Sequence, residues 1–370
     1  MIYLDNNSAT PLDPRVITEI VNALKQLYGN PSSIHSKGRE SKAAITKARD
    51  LIAMQLGVRS DEIIFTSGGT EGINLVLRGM AERKGGHFIL SNVEHAALEQ
   101  TVQALEKKGV IEAKRLSVGT KGALEYKTIE NAICPNTQLI ACAAVNNETG
   151  VKTNIEAIAR LALSRGIDFF VDGVALLGKE SFVIPEGVSA MSFSGQKIHG
   201  PKGIGFLFVR KQFRLNSQIT GGTQEYGRRA GTEAVPLIVG LAKAVELLGD
   251  FDSITSLRDL FESELKAHSV KFAVNGEGER VCSTSNLAFE GVDVESLLMH
   301  LDIHGIAASH GSACQSGNFA PSRVLLNMGY PPERVNSSIR FSFSRMNTKE
   351  EVKKAAKVIS DLIRPLSSLR

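Results

Sequence analysis

The 370-residue chain has no paired cysteines, no basic block and no long apolar segment. Each absence removes a class of function. Its four cysteines (Cys134, Cys142, Cys282 and Cys314) form no C-x-x-C pair and lie in unrelated contexts. A disulfide framework or structural zinc site is therefore not expected. The net charge is only +4, and no lysine/arginine stripe is interleaved with aromatics, so direct nucleic-acid binding is not expected. No uninterrupted apolar run is long enough to span a bilayer. The first residues, Met1-Ile-Tyr-Leu-Asp, lack a basic region followed by an apolar stretch, which makes the cytoplasm the expected location. His300 and His304 share i,i+4 spacing, but no acidic or cysteine neighbour completes a set, so no metal site is expected.

The residues that are present describe an ordinary globular chain, 42% hydrophobic and 22% charged, long enough for two domains. Short apolar runs at 62–66, 87–90, 139–145, 169–171, 190–193 and 204–209 read as buried strands. Between two of them, Ile155, Ile158, Ala159 and Ala162 follow helical spacing, and Gly166 is placed to end that helix. Alternating strands and helices predict an α/β domain with a mostly parallel sheet flanked by helices. Beyond about residue 250 the pattern changes to a smaller α+β domain, with strands near 285–289 and 338–343. Thr348 and Glu351 form a capping-box signature at the start of a last helix. The lysines of that helix (Lys349, Lys353, Lys354 and Lys357) read as a solvated face.

Chemistry collects after the predicted strands. Lys197 lies in Ser192-Phe-Ser-Gly-Gln-Lys197-Ile-His-Gly, a small-residue turn between two apolar runs. A lysine held there can lose its proton and attack an aldehyde carbon. Asp172 ends the run before it and can keep a pyridinium nitrogen protonated. Together these are the groups that pyridoxal 5′-phosphate (PLP) chemistry requires; Lys197 alone would read as a surface lysine. Thr66-Ser-Gly-Gly-Thr70-Glu precedes a helix and offers backbone N–H groups and a hydroxyl to an anion, or is merely a strand–helix turn. His95 and Asn147 follow two further strands at the sheet edge where ligands gather. His95 could stack on a cofactor or move a proton; Asn147 could bind a carboxylate or a phenolic oxygen, or simply serve its turn. Cys314 lies in Gly311-Ser-Ala-Cys314-Gln-Ser-Gly, an exposed-looking loop that suits a nucleophile or holds an incidental thiol. Arg340, in a segment alternating like a half-buried strand, suits a bidentate carboxylate contact or a structural salt bridge.

These motifs, with Tyr3-Leu-Asp-Asn-Asn-Ser-Ala-Thr-Pro11, Gly29-Asn-Pro-Ser-Ser33 and Arg229-Ala-Gly-Thr232, closely resemble those of cysteine desulfurases of the NifS/IscS type, class V aminotransferase-like PLP enzymes. The resemblance spans essentially the whole chain. It implies a fold-type I homodimer, with a large PLP-binding domain at 15–250 and a small domain formed by 1–14 and 251–370 that carries a mobile cysteine loop. It also implies that L-cysteine becomes L-alanine while the sulfur leaves as an enzyme persulfide for an acceptor protein, either an iron–sulfur scaffold in cluster biogenesis or a tRNA-thiolation protein. Lys197 would bond to the cofactor and move the α-proton, His95 would stack and assist, and Asp172 would pair with the ring nitrogen. Gly69, Thr70, Ser194 and Gln196 would serve the phosphate, with Thr232 reaching from the partner subunit. Asn147 and Arg340 would grip the substrate carboxylate, and Cys314 would take the sulfur. Ala175 and Gln196 depart from the commonest family pattern. Another class V enzyme (a selenocysteine lyase or an aminotransferase) and a non-catalytic dimeric scaffold are the alternatives.

Overall fold

The computed structural model describes residues 1–311 and 320–367, so Cys314 lies outside the described residues. In chain order the strands are β1 (Ile2–Tyr3), β2 (Ile63–Thr66), β3 (Gly86–Ser91), β4 (Ile111–Leu116), β5 (Thr137–Ala143), β6 (Asp168–Asp172), β7 (Ala190–Ser194) and β8 (Gly205–Val209). They continue with β9 (Phe272–Val274), β10 (Thr284–Phe289), β11 (Ile306–Ala307) and β12 (Ser338–Ser342).

Seven strands form the main sheet, in the order β2-β8-β7-β6-β5-β3-β4. β8 runs antiparallel to both neighbours, and every other pair is parallel. The continuous apolar runs become its central strands because helices cover both faces and leave no solvated side. Alternate residues feed two cores. Ile140, Phe169, Val171, Phe193 and Phe206 point to one face, while Leu139, Ala141, Phe170 and Leu207 point to the other. Phe193 and Phe206 stack across β7 and β8 with ring centroids 4.6 Å apart. Burying each such ring contributes about 2–3 kcal/mol. β4 is a strand that the apolar-run reading passes over. It pairs only with β3 at the sheet edge, so Glu112, Lys114 and Arg115 can face water along it. The predicted helix is Ile155–Arg165, and Gly166 ends it in the left-handed conformation at φ 63°.

A third core joins sequence-distant parts. Ile2 and Leu4 pack with Phe261, Phe289, Leu301, Phe341 and Ile359. β10 pairs antiparallel with β9 and β12, and β1 lies parallel to β11. The capping box is present. Thr348 N donates to Glu351 Oε2 at 3.1 Å, and Glu351 N donates to Thr348 Oγ1 at 3.2 Å. One expectation is corrected: β12 is buried along its whole length rather than on one face. Its outer edge is covered by Asp5, which bridges to Ser342, and by Ser309, which bridges to Arg340. No helix of the described residues is long and apolar enough to cross a membrane.

Candidate active site

The C-terminal ends of the parallel strands converge on one cavity of about 170 Å³. Gly69 and Thr70 follow β2, His95 follows β3, Asn147 follows β5, Asp172 closes β6, and Ser194, Gln196 and Lys197 close β7. All of them line the cavity, as does Arg340 from β12. This is where an open α/β sheet gathers its ligands.

Lys197 ends a single 3₁₀ turn, Gly195–Lys197. Its Nζ donates to the carbonyl oxygens of Asn7 at 2.7 Å and Ser8 at 2.6 Å. The neighbouring Gln196 carbonyl accepts from Thr10 N and Thr10 Oγ1, so the N-terminal segment fixes the turn from both sides. Asp172 is buried, and its Oδ1 accepts from Val174 N at 3.0 Å. Burial raises its pKa, and the charges of His95 and Lys197 oppose that rise. His95 is the N-cap of the helix Ala96–Lys107; its Nδ1 accepts from Ala97 N at 3.1 Å. A neutral His95 ring therefore carries its proton on Nε2.

The helix Gly69–Lys84 begins at the cavity wall. A Cβ on Gly69 would lie 2.5 Å from Val174 Cγ2, so only glycine lets this helix start against the turn after Asp172. Its first N–H groups, the Thr70 hydroxyl and Ser194 together make an anion cradle. Arg340 is 1% exposed. It donates to Asp5 Oδ1 at 2.8 Å, Ser8 Oγ at 2.7 Å and Asn147 O at 3.1 Å, and its buried Nε has no hydrogen-bond partner among the described residues. The two readings of Arg340 thus coincide: it makes a salt bridge and also faces the cavity. Thr232 is exposed and does not line this cavity. Cys314 lies outside the described residues. Of the loop near it, His310 is held by Nδ1 against Ser338 O at 2.8 Å.

Several site groups escaped the sequence reading. Asn7 and Ser8 hold Lys197, and Asp5 holds Arg340. They lie in the Tyr3–Pro11 motif that carries part of the resemblance, but no role was read for them individually. Glu94 is buried beside the cavity, where it accepts from Ser91 Oγ at 2.5 Å and Ala143 N at 2.8 Å. Burial pushes its carboxyl up to about 8, and the nearby Asp172 pushes the same way.

An amine, a buried carboxylate facing the same cavity, a histidine at its wall and a glycine-shaped anion cradle suit PLP. Lys197 would bond to its aldehyde carbon, Asp172 would hold its ring nitrogen, and Gly69, Thr70 and Ser194 would take its phosphate. Comparison with known proteins agrees. Residues 2–355 match the family described as Aminotransferase class-V. A cysteine desulfurase of Nostoc is 40% identical over 378 residues, covering 100% of this chain and 94% of that protein. A solved NifS-like protein superposes with TM-score 0.90 at 32% identity, covering 98% of both chains. A structure described as SspA in complex with cysteine superposes with TM-score 0.85 at 31% identity, covering 94% of this chain and 99% of that one. The chain belongs to the class V aminotransferase family of fold-type I, PLP-dependent enzymes.

Proposed function

We infer that this enzyme is an L-cysteine desulfurase: it converts L-cysteine to L-alanine and passes the sulfur on as a persulfide. The observation that carries this reading is the convergence of Lys197, Asp172, His95 and Arg340 on one cavity. The full-length similarity to cysteine desulfurases supports it.

Bound PLP supplies an electron sink for the carbon bearing the substrate's amino group. The protein supplies the rest. Arg340 and Asn147 orient the carboxylate, and the buried Arg340 Nε offers an N–H for it. Lys197 Nζ moves the α-proton, and its two carbonyl partners aim it. His95 Nε2, the ring nitrogen opposite the one that accepts the cap bond, can hold or give a proton at the cavity wall. The Cys314 thiolate attacks the substrate sulfur, so the carbon–sulfur bond breaks as the sulfur–sulfur bond forms; the carbon is protonated to give alanine. The thiolate role rests on the sequence of its loop.

Thr232, exposed on its own subunit, suits a role at the phosphate of a partner subunit in a homodimer. The third core, which gathers Ile2 and Leu4 with residues beyond 250, supports a small domain built from 1–14 and 251–370 against a large domain at 15–250. A cytoplasmic enzyme that hands sulfur to an acceptor protein completes the reading.

The test is alanine formation from L-cysteine by the PLP-loaded protein, wild type against Cys314→Ser. Alanine from the wild type alone is expected. Equal alanine from both would remove Cys314 from the reaction. No alanine from either, with Lys197 verifiably bonded to PLP, would turn the assignment to another class V activity.

A further inference from the structure

After Asp172 the chain leaves β6 through a tight turn. Leu176 N and Leu177 N both donate to Gly173 O, and Lys179 N donates to Leu176 O. The turn brings Lys179 back to the active cavity, which it lines together with Lys197. Both lysines also line a smaller cavity behind it, alongside His199 and Arg345.

Lys179 is only 5% exposed. Its backbone carbonyl accepts from the Cys282 thiol at 2.9 Å, but no hydrogen bond or ion pair reaches its Nζ among the described residues. No carboxylate among the described residues compensates its charge. Burial lowers its pKa, Arg345 pushes the same way, and only the Cys282 thiol opposes them. Lysines normally extend their flexible stems until the ammonium meets water. The Lys179 stem is buried, yet its Nζ is not among the fully buried unpaired polar atoms and so keeps access to the cavity; leucine or methionine would fill the stem's space without bringing a charge there. The neighbouring Leu176 and Leu177 are themselves buried and apolar. What sets Lys179 apart from them is the cavity it borders.

We propose that Lys179 is a second anion-receiving residue of the active cavity, pairing with an oxyanion of bound PLP or of the amino-acid substrate that neither the phosphate cradle nor Arg340 satisfies. PLP brings a ring oxygen as well as its phosphate; the substrate brings a carboxylate with two oxygens. Only the substrate alternative rests on the desulfurase reading.

Two titrations test this without turnover, each comparing wild type with Lys179→Met and Lys179→Gln. In one, PLP is added to the cofactor-free protein and followed by visible absorbance. In the other, L-alanine is added to the loaded protein and followed by the change in its spectrum. Loss of one charge-assisted hydrogen bond weakens binding about tenfold or more. Weakening in the PLP titration assigns the cofactor's oxygen, and weakening confined to L-alanine assigns the carboxylate. Both constants unchanged to within about twofold, the precision needed to see such a bond, would overturn the proposal. A check on the unaltered protein needs no variant to fold: acetic anhydride labelling read by mass spectrometry. PLP or L-alanine is expected to protect Lys179, and equal acetylation with and without both would also overturn the proposal. Failure to form alanine from cysteine leaves every one of these measurements readable.

Discussion

Asp13, at the start of the helix Pro14–Gln26, and Asp172, at the end of β6, are both almost fully buried, yet their surroundings are opposite. Asp13 is held by Arg15 at 2.8 Å and by Arg345 at 2.6 Å, and these partners hold its carboxyl well below the usual carboxylate range. Asp172 has a backbone N–H and, among the described residues, no arginine, and burial drives its pKa the other way. The same contrast separates the frame from the cavity. In the frame, buried Arg49 and Glu225 pair at 2.6 Å, and Glu225 also accepts from Phe65 N at 2.8 Å. At the cavity, among the described residues, Arg340 Nε lacks a partner and Lys179 has no counter-ion. Charges that hold the fold together are satisfied within the protein; those that face a ligand are left with capacity to spare.

The comparison can be broken most sharply at Asp172. Asp172→Asn is expected to reduce turnover on the order of a hundredfold to ten-thousandfold, as for loss of a principal catalytic group. The thermal midpoint of the cofactor-free protein should change little, because the amide keeps an acceptor oxygen for Val174 N while the cost of burying a charge is removed along with its attraction to His95 and Lys197. Steady-state kinetics and calorimetry check the two halves, and a large drop in midpoint would mean that Asp172 belongs to the frame. Glu225→Ala should do the reverse. It strands Arg49 in the interior and should cost about 3–5 kcal/mol in denaturant unfolding, the range for breaking a buried pair.

At Glu94 the effect is confined to a pH window, and there the pH dependence is the readout. Its folded pKa of about 8 exceeds the ordinary 4.5. The folded protein keeps the proton that the unfolded chain releases, so this group lowers stability as pH rises between those values and adds no further change above them. Glu94→Gln should flatten that slope, at about 1.4 kcal/mol for each unit by which the pKa is raised. Unfolding midpoints between pH 5 and 9 would show parallel curves if Glu94 were instead ionised throughout.

The part of the site that was legible in the sequence is the part built locally. Asp172, Lys197, His95 and Gly69 each follow an apolar run, directly or after a few residues, so periodicity alone places them at one sheet edge. The other wall is built from partners far apart in the chain: Asp5 with Arg340, Ser8 with Lys197, Asn7 with Asn147. No local pattern encodes such pairs. β4 escaped because an edge strand tolerates Glu112, Lys114 and Arg115, and Lys179 because a turn has no period to violate. Ala175, which departs from the commonest family pattern, lines the cavity on the same turn that carries Lys179.

The segment at residues 5–8 has a consequence in time as well as in space. Its carbonyls hold residue 197 and its side chains hold residue 340, while Ser342 N donates to Leu4 O at 2.7 Å. Such long-range closures come late in folding, because the entropy of the intervening chain must be lost before they form. Both the lysine and the arginine are therefore set in place only after the segments at residues 4–8 and 340–342 have met. Recovery of activity during refolding should lag behind recovery of the main sheet, which makes catalytic competence a clock for the last step of assembly.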